Sequence, residues 1–109
     1  MPNADYDSLV AFALELFEPL GDLTTRRMFG GMAIYHRGVI FALLRSDATL
    51  LLKAEGDFRA RLEADGWERW THTRKNGVET SMPYYVIPGE VLDDADTASD
   101  LARASLDSR

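Results

Sequence analysis

The chain has 109 residues, of which 46% are hydrophobic and 28% charged, with a formal net charge of −6 and no cysteine. This length and composition predict one globular domain over residues 1–109, and the missing cysteines exclude disulfides, thiol catalysis and cysteine-ligated zinc. The negative charge argues against wholesale nucleic-acid binding. The N-terminus lacks the pattern of a signal peptide, and no apolar run approaches the roughly 20 residues of a membrane helix, so we expect a cytoplasmic protein without a membrane span.

The helical segments are predicted from apolar periodicity and end signals. Residues 6–19 carry apolar side chains at three- and four-residue steps, including Phe12, and Pro19 should end this helix close to Glu18. Residues 55–65 predict a second helix that stops at Gly66. A short terminal helix should begin at Asp94 or Asp96 and use Leu101 as its main apolar anchor.

The strands are predicted from alternation and turn residues. Arg37-Gly38 should form one hairpin turn and Asn76-Gly77 another. Pro83 cannot donate to a ladder, so its strand should be interrupted, bulged or at an edge. The strand-like segments are "TTRRMF", "MAIYH", "VIFALLR", "ATLLLKA", "WERWTHTRK" and "VETSMPYYVI".

These elements predict a fold of the α+β class. We expect two layers, with a sheet of about five mainly antiparallel strands and helices packed on one face, in the order α-β3-α-β2-α.

A phosphate-binding loop is the first chemistry that "RRMFGGMAIY" suggests. Such a loop needs further glycines, a lysine and a helix directly after it, whereas Gly30-Gly31 leads into a strand pattern. We therefore interpret the two glycines as a bend or a close backbone approach.

Metal and nucleophile motifs are not found. His36 and His72 are far apart, and "DDAD" at 93–96 lacks the spacing of a calcium loop. Ser81 is expected near His72 across the hairpin, but no motif joins them as a nucleophile and base. We predict no catalytic residue, no cofactor and no metal, and hence no enzyme.

The basic charge is concentrated in residues 24–53, which carry five bases against one acid, whereas residues 1–23 carry five acids and no base. The arginines Arg26, Arg27, Arg37 and Arg45 form our predicted interaction surface. Aromatic residues on the same strands are typical of sheet packing, although aromatics beside arginines can also stack on bases. Because neighbours in a strand alternate, Arg26 and Arg27 are expected to point to opposite faces.

Three blocks of the sequence together resemble one known family. "RRMFGGMAIYHRGVIFALL", "LLLKAEGDFRARLEADG" and "SMPYYVIPGEVLDD" are similar to the N-terminal domain of the TfoX/Sxy family, from about Arg26 to Leu92. The signature positions are Met28, Phe29, Gly30, Gly31, Gly38, Tyr84, Tyr85 and Pro88.

The resemblance implies a stand-alone TfoX N-terminal-like domain with a two-layer, secretion-chaperone-like fold. Family members regulate the expression of competence and natural-transformation genes, so it also implies a regulatory, non-enzymatic role through a protein partner, for example a transcription regulator such as the cyclic-AMP receptor protein. Two-domain members carry a C-terminal helical domain, to which nothing in this sequence corresponds. A nucleic-acid-binding module, a small-ligand-binding domain and a homodimer stay open as alternatives, and independent DNA binding is not expected.

Overall fold

Helices cover one face of an antiparallel sheet in a computed structural model of the chain. Residues 4–28, 30–73 and 75–108 are described, without the side chains of residues 4, 5 and 72, and these ranges contain four α-helices and six strands. The helices are α1 (Ala4–Leu16), α2 (Gly56–Ala64), α3 (Gly89–Leu92) and α4 (Ala95–Asp107), and a 3-10 turn spans Glu18–Leu20. The strands are β1 (Leu23–Met28), β2 (Gly31–His36), β3 (Val39–Leu44), β4 (Leu50–Lys53), β5 (Arg69–Thr73) and β6 (Glu79–Val86).

The predicted α+β class is confirmed, but the strand count of about five was too low. Four strands precede α2, because β1 pairs over its whole length with β2, from Leu23 opposite His36 to Met28 opposite Gly31. The predicted segment "TTRRMF" overlaps β1, an edge strand whose polar residues are largely exposed.

The first helix buries less of its apolar surface than its periodicity predicted. Ala13, Leu16 and Phe17 are buried in the core, as expected for one face of an amphipathic helix. Phe12 is instead 42% exposed. The helix ends at Leu16, and Pro19 lies in the 3-10 turn that follows, where its fixed φ is tolerated.

The ends of α2 and α4 follow their predicted signals. The amide of Gly66 donates to the carbonyl of Glu63 at 3.1 Å, and that of Trp67 donates to Leu62 at 3.0 Å, which satisfies carbonyls at the end of α2. The carboxylate of Asp94 accepts hydrogen bonds from the amides of the first turn of α4. Both caps fix where these helices begin and end above the sheet.

The strand order is β1-β2-β3-β4-β6-β5, so β6 lies inside the sheet between β4 and β5. The pairing of β5 with β6 shifts between Arg69 and Thr71, opposite the stretch that contains Pro83. Arg69 Nε donates to the carbonyl of Met82 at 3.0 Å, and the Pro83 carbonyl accepts from the amide of Ala54 at 3.0 Å. The irregular pairing therefore accommodates a proline in an interior strand without leaving these carbonyls unpaired.

The main core lies between the sheet and the helices. The β2–β3 register shifts next to Ile34, and as a result Phe41 and Ala42, neighbours in sequence, both face the helices. The ring of Phe41 packs edge-on against Phe17 with 5.0 Å between centroids. Buried Ser105 donates from Oγ to the Lys53 carbonyl at 2.5 Å and so ties α4 to the end of β4.

Candidate functional site: the open face of the sheet

A second apolar cluster lies on the face of the sheet away from the helices, and we call this surface the open face. Its centre is formed by Ala33, Leu43, Leu51 and Tyr84, all of which are buried. Larger, partly buried side chains surround them: Met28, Tyr35, Ile40, Trp70, Met82 and Val86. Every one of these residues belongs to a strand, so within the described ranges this cluster is packed without help from a helix.

Two aromatic rings and one arginine cover part of the open face. Trp70 and Tyr84 pack with 6.3 Å between ring centroids, and the guanidinium of Arg45 lies over the Trp70 ring at 5.4 Å. Arg45 also donates to the carboxylate of Asp47 at 2.6 and 3.1 Å and to the hydroxyl of Thr49 at 3.2 Å. The hydrogen bonds from Arg45, assisted by those from Thr49, lower the pKa of Asp47 to about 2. Arg45 is therefore already engaged by a carboxylate and a ring.

Arg26 is an exposed cation on this face. It lies opposite Ala33 in the register of β1 and β2, which places both side chains on the open face. Lys53 lies on the same face, opposite Tyr84, and has its ammonium 3.6 Å from Glu55. Of Arg26, Arg45 and Lys53, only Arg26 makes no ion pair with a described carboxylate. It is the cation of this set that is available to a partner.

The other two arginines of the predicted surface lie elsewhere. Arg27 lies opposite Met32 and points to the helix side, where burial raises the pKa of Tyr6 and the positive charge of Arg27 opposes that rise. Arg37 is in the β2–β3 turn, and its Nε donates to Asp22 at 2.9 Å. The structure thus brings Arg26 and Arg45 onto one face and separates Arg27 and Arg37 from it.

The two adjacent glycines of the signature, Gly30 and Gly31, are needed for two different structural reasons. Gly30 has φ +74°, a left-handed conformation that costs glycine little. Gly31 has no such φ, but a Cβ there would overlap the carbonyl oxygen of Leu44 and lie 3.0 Å from the Cα of Arg45. The close approach brings β2 against the end of β3, next to Arg45. Phe29 lies outside the described residues.

The remaining signature positions are spread over both faces. Gly38 takes φ +81° in the β2–β3 turn, as predicted. Tyr84 belongs to the open face, whereas its neighbour Tyr85 belongs to the helix-side core, and Pro88 is the residue before α3. Met28 packs at the edge of the open face.

A cluster around Tyr85 is the clearest group of titratable side chains that the sequence did not indicate. Tyr85 Oη donates to Glu63 at 2.5 Å, and Arg69 lies 3.9 Å from the same carboxylate and over the Tyr85 ring. Burial and the Glu63 carboxylate raise the pKa of Tyr85. These contacts join α2 to β5 and β6, because Glu63 lies on the helix and its two partners on the sheet. Such long-range contacts have no local sequence signal.

The described residues lack the features of a metal site and of a membrane span. Within them, no three His, Cys, Asp or Glu side chains are grouped as metal ligands would be. None of the described helices has both the length and the apolar character needed to cross a membrane.

The fold and the open face define a class of small α+β domain. Its helices all pack on one side of an antiparallel sheet, and its other side is an apolar surface built from strands that carries an exposed arginine.

Residues 15–108 match the family model described as the TfoX N-terminal domain. The chain belongs to this family, as the resemblance predicted. Over 61 residues it is 34% identical to the DNA transformation protein TfoX1 of Aliivibrio fischeri (strain ATCC 700601 / ES114), a match that covers 56% of this chain. The same match covers 29% of that relative, so the chain spans less than a third of the relative's length.

Proposed function

We propose that this domain is a non-enzymatic, cytoplasmic module that binds a protein partner through its open face and so regulates the expression of genes for DNA transformation. The observation that carries the proposal is the membership of the TfoX N-terminal domain family, together with the similarity to a protein named for DNA transformation. The cyclic-AMP receptor protein is the first partner to test, because the family resemblance implies such a regulator.

The composition of the open face favours a protein partner. Tryptophan, tyrosine, methionine and arginine are enriched at protein interfaces, and aromatic and arginine side chains provide most of the residues whose truncation costs binding energy. Trp70, Tyr35 and Met82 surround the buried centre, and Arg26 stands exposed beside it. The complementary surface would present apolar side chains and a carboxylate for Arg26.

The charge distribution disfavours nucleic acid as the partner. The four helices carry nine Asp or Glu against three Arg, net −6, whereas the six strands carry one Glu against four Arg or Lys, net +3. Binding to nucleic acid depends on several Lys or Arg side chains, each of which neutralises a phosphate and so releases a counterion from the nucleic acid. On the open face, Arg45 and Lys53 already have acidic neighbours, which leaves Arg26 as the cation without one among these three.

The proposed role is tested by gene deletion in the native host. The deletion strain is complemented with the wild type, with Arg26→Glu and with Arg27→Glu, and transformation frequency with marked DNA is measured. The two variants change the net charge equally on the same strand but on opposite faces. We expect Arg26→Glu to behave like the deletion and Arg27→Glu like the wild type.

Three outcomes would contradict this proposal. An unchanged transformation frequency in the deletion strain would exclude the regulatory role. Equal effects of Arg26→Glu and Arg27→Glu would exclude the open face as the binding surface. Tight, sequence-specific DNA binding by the purified protein in a gel-shift titration would identify DNA, and not a protein, as the partner. Calorimetric titration with the cyclic-AMP receptor protein tests that partner directly, and light scattering tests whether a second copy occupies the face.

A further inference from the structure

A second surface lies on the helix side, where α1 meets the α3–α4 junction. A groove of about 310 Å³ is lined there by Phe12, Leu16 and Leu92 with the carboxylates of Glu15, Glu18 and Asp93, and we call it the acidic groove. Leu16 is buried and forms its floor, while Phe12 is 42% exposed. Phe12, Leu16 and Leu92 thus place apolar side chains between three carboxylates.

The walls of the acidic groove are fixed by hydrogen bonds. Buried Ser99 on α4 donates from Oγ to the carbonyl of Leu16 at 3.3 Å, which holds α4 against the end of α1. The carboxylate of Asp94 accepts from the amides of Asp96 and Thr97 and fixes the start of α4 beside Asp93. The groove is therefore formed before any partner binds, which lowers the entropic cost of binding.

The charged side chains that line the acidic groove are all negative. Glu15, Glu18 and Asp93 make no ion pair with a described residue, and neither lysine nor arginine is among the lining residues. Arg103 is the nearby cation of α4, but it pairs with Asp100 at 2.9 Å and donates to the carbonyl of Pro19 at 3.3 Å. An apolar floor with an uncompensated acidic rim complements a segment that has a large apolar side chain between basic residues.

We infer that the acidic groove binds a basic, amphipathic segment of a partner protein, with an apolar side chain against Phe12 and Leu16 and Lys or Arg beside the three carboxylates. This surface lies across the sheet from the open face and uses none of its residues. The inference is therefore independent of the function proposed for the open face.

The test uses a fluorescein-labelled synthetic peptide of alternating Leu- and Lys-rich helical turns, with fluorescence anisotropy as the readout. A peptide with Glu in place of each Lys is the charge control. The protein variants are Phe12→Ala and Glu15→Lys in the groove. Their matched controls are Val39→Ala, an exposed apolar residue at the β2–β3 turn, and Glu68→Lys, an exposed acid before β5 with the same change in net charge.

We expect Phe12→Ala and Glu15→Lys each to weaken binding of the Lys peptide by about tenfold, as for a residue at the centre of a contact. Val39→Ala should leave binding unchanged, and Glu68→Lys should weaken it less than twofold. Equal weakening by Glu15→Lys and Glu68→Lys would assign binding to the overall charge and overturn the inference. Binding of the Glu peptide, or conversion of a dimer to a monomer by Phe12→Ala in light scattering, would overturn it as well.

Discussion

Gly31 gives the sharpest test of how β2 is held against β3. In Gly31→Ala the added methyl overlaps the Leu44 carbonyl oxygen, with the Leu44 carbonyl carbon at 3.1 Å and the Arg45 Cα at 3.0 Å. All three neighbours are backbone atoms of β3 or the residue after it, so no flexible side chain can move aside. The strand pair must therefore separate locally. This separation would disturb the pairing of Met32 with Leu44, which lies one residue further along β2.

The expected loss of stability follows from two opposing terms. Forcing an extra methyl into a packed site costs about 1–3 kcal/mol. Replacing glycine by alanine restricts the unfolded chain and returns about 0.4–1 kcal/mol. The midpoints of the two ranges give a fall of about 1.3 kcal/mol in the free energy of unfolding, which lowers the melting temperature by about 5–10 °C in a domain of this size.

Two further glycines provide matched controls for this measurement. Gly30→Ala meets no atom within 4 Å but has φ +74°, so its cost of about 1–2 kcal/mol comes from the backbone alone. Gly89→Ala has neither problem and should be neutral or slightly stabilising. The assay is urea unfolding followed by circular dichroism. A Gly31→Ala variant with the midpoint of Gly89→Ala would refute the close-approach argument.

Three other substitutions test the turn, the helix attachment and the open face. The Arg45 hydrogen bonds hold the pKa of Asp47 at about 2, so this stabilisation is present above the ordinary pKa of about 4 and is lost as pH falls toward 2. Because the carboxylate is exposed, Asp47→Asn should cost only about 0.5–1 kcal/mol at pH 6 in urea unfolding, and a small fraction of that at pH 2, where half of the carboxylate is already protonated. An equal loss at the two pH values would contradict this. Ser105→Ala removes the hydrogen bond from α4 to the Lys53 carbonyl and should cost about 1–3 kcal/mol by thermal unfolding, whereas an unchanged melting temperature would show that the bond is dispensable. Leu43→Ala should cost about 2–5 kcal/mol in urea, and a loss below about 1 kcal/mol would show that the open face is loosely packed.

The sequence predicts the local elements of this fold well because their signals are local. Asp94 and Gly66 mark helix ends through hydrogen bonds to residues two to five positions away. Asn76-Gly77 marks a hairpin turn for the same reason, with the Asn76 side chain accepting from the amide of Val78 at 3.0 Å. The family blocks predict the α+β class in addition.

Pairings between distant segments have no such local signal. The position of β6 between β4 and β5 joins Leu51 to Val86, and nothing in either segment specifies the other. Arg69 reaches the Met82 carbonyl only because the ladder is irregular there. Local alternation separated Arg26 from Arg27 as predicted, but only the long-range pairing places Arg45 on the same face as Arg26, and the sequence did not indicate that grouping.

The opposite orientations of Arg26 and Arg27 show how strand alternation divides a basic segment between the two faces of the sheet. Strand alternation sends one arginine to each face, and the edge position of β1 keeps both exposed. On the helix side Arg27 meets a layer in which acids outnumber bases, whereas on the open face Arg26 lies with Arg45 and Lys53, each of which is paired with a carboxylate. The same charge therefore has different electrostatic surroundings on the two sides of one strand. A domain with net charge −6 can in this way present a cation to one partner and an uncompensated acidic groove to another, because the sheet lies between the two surfaces.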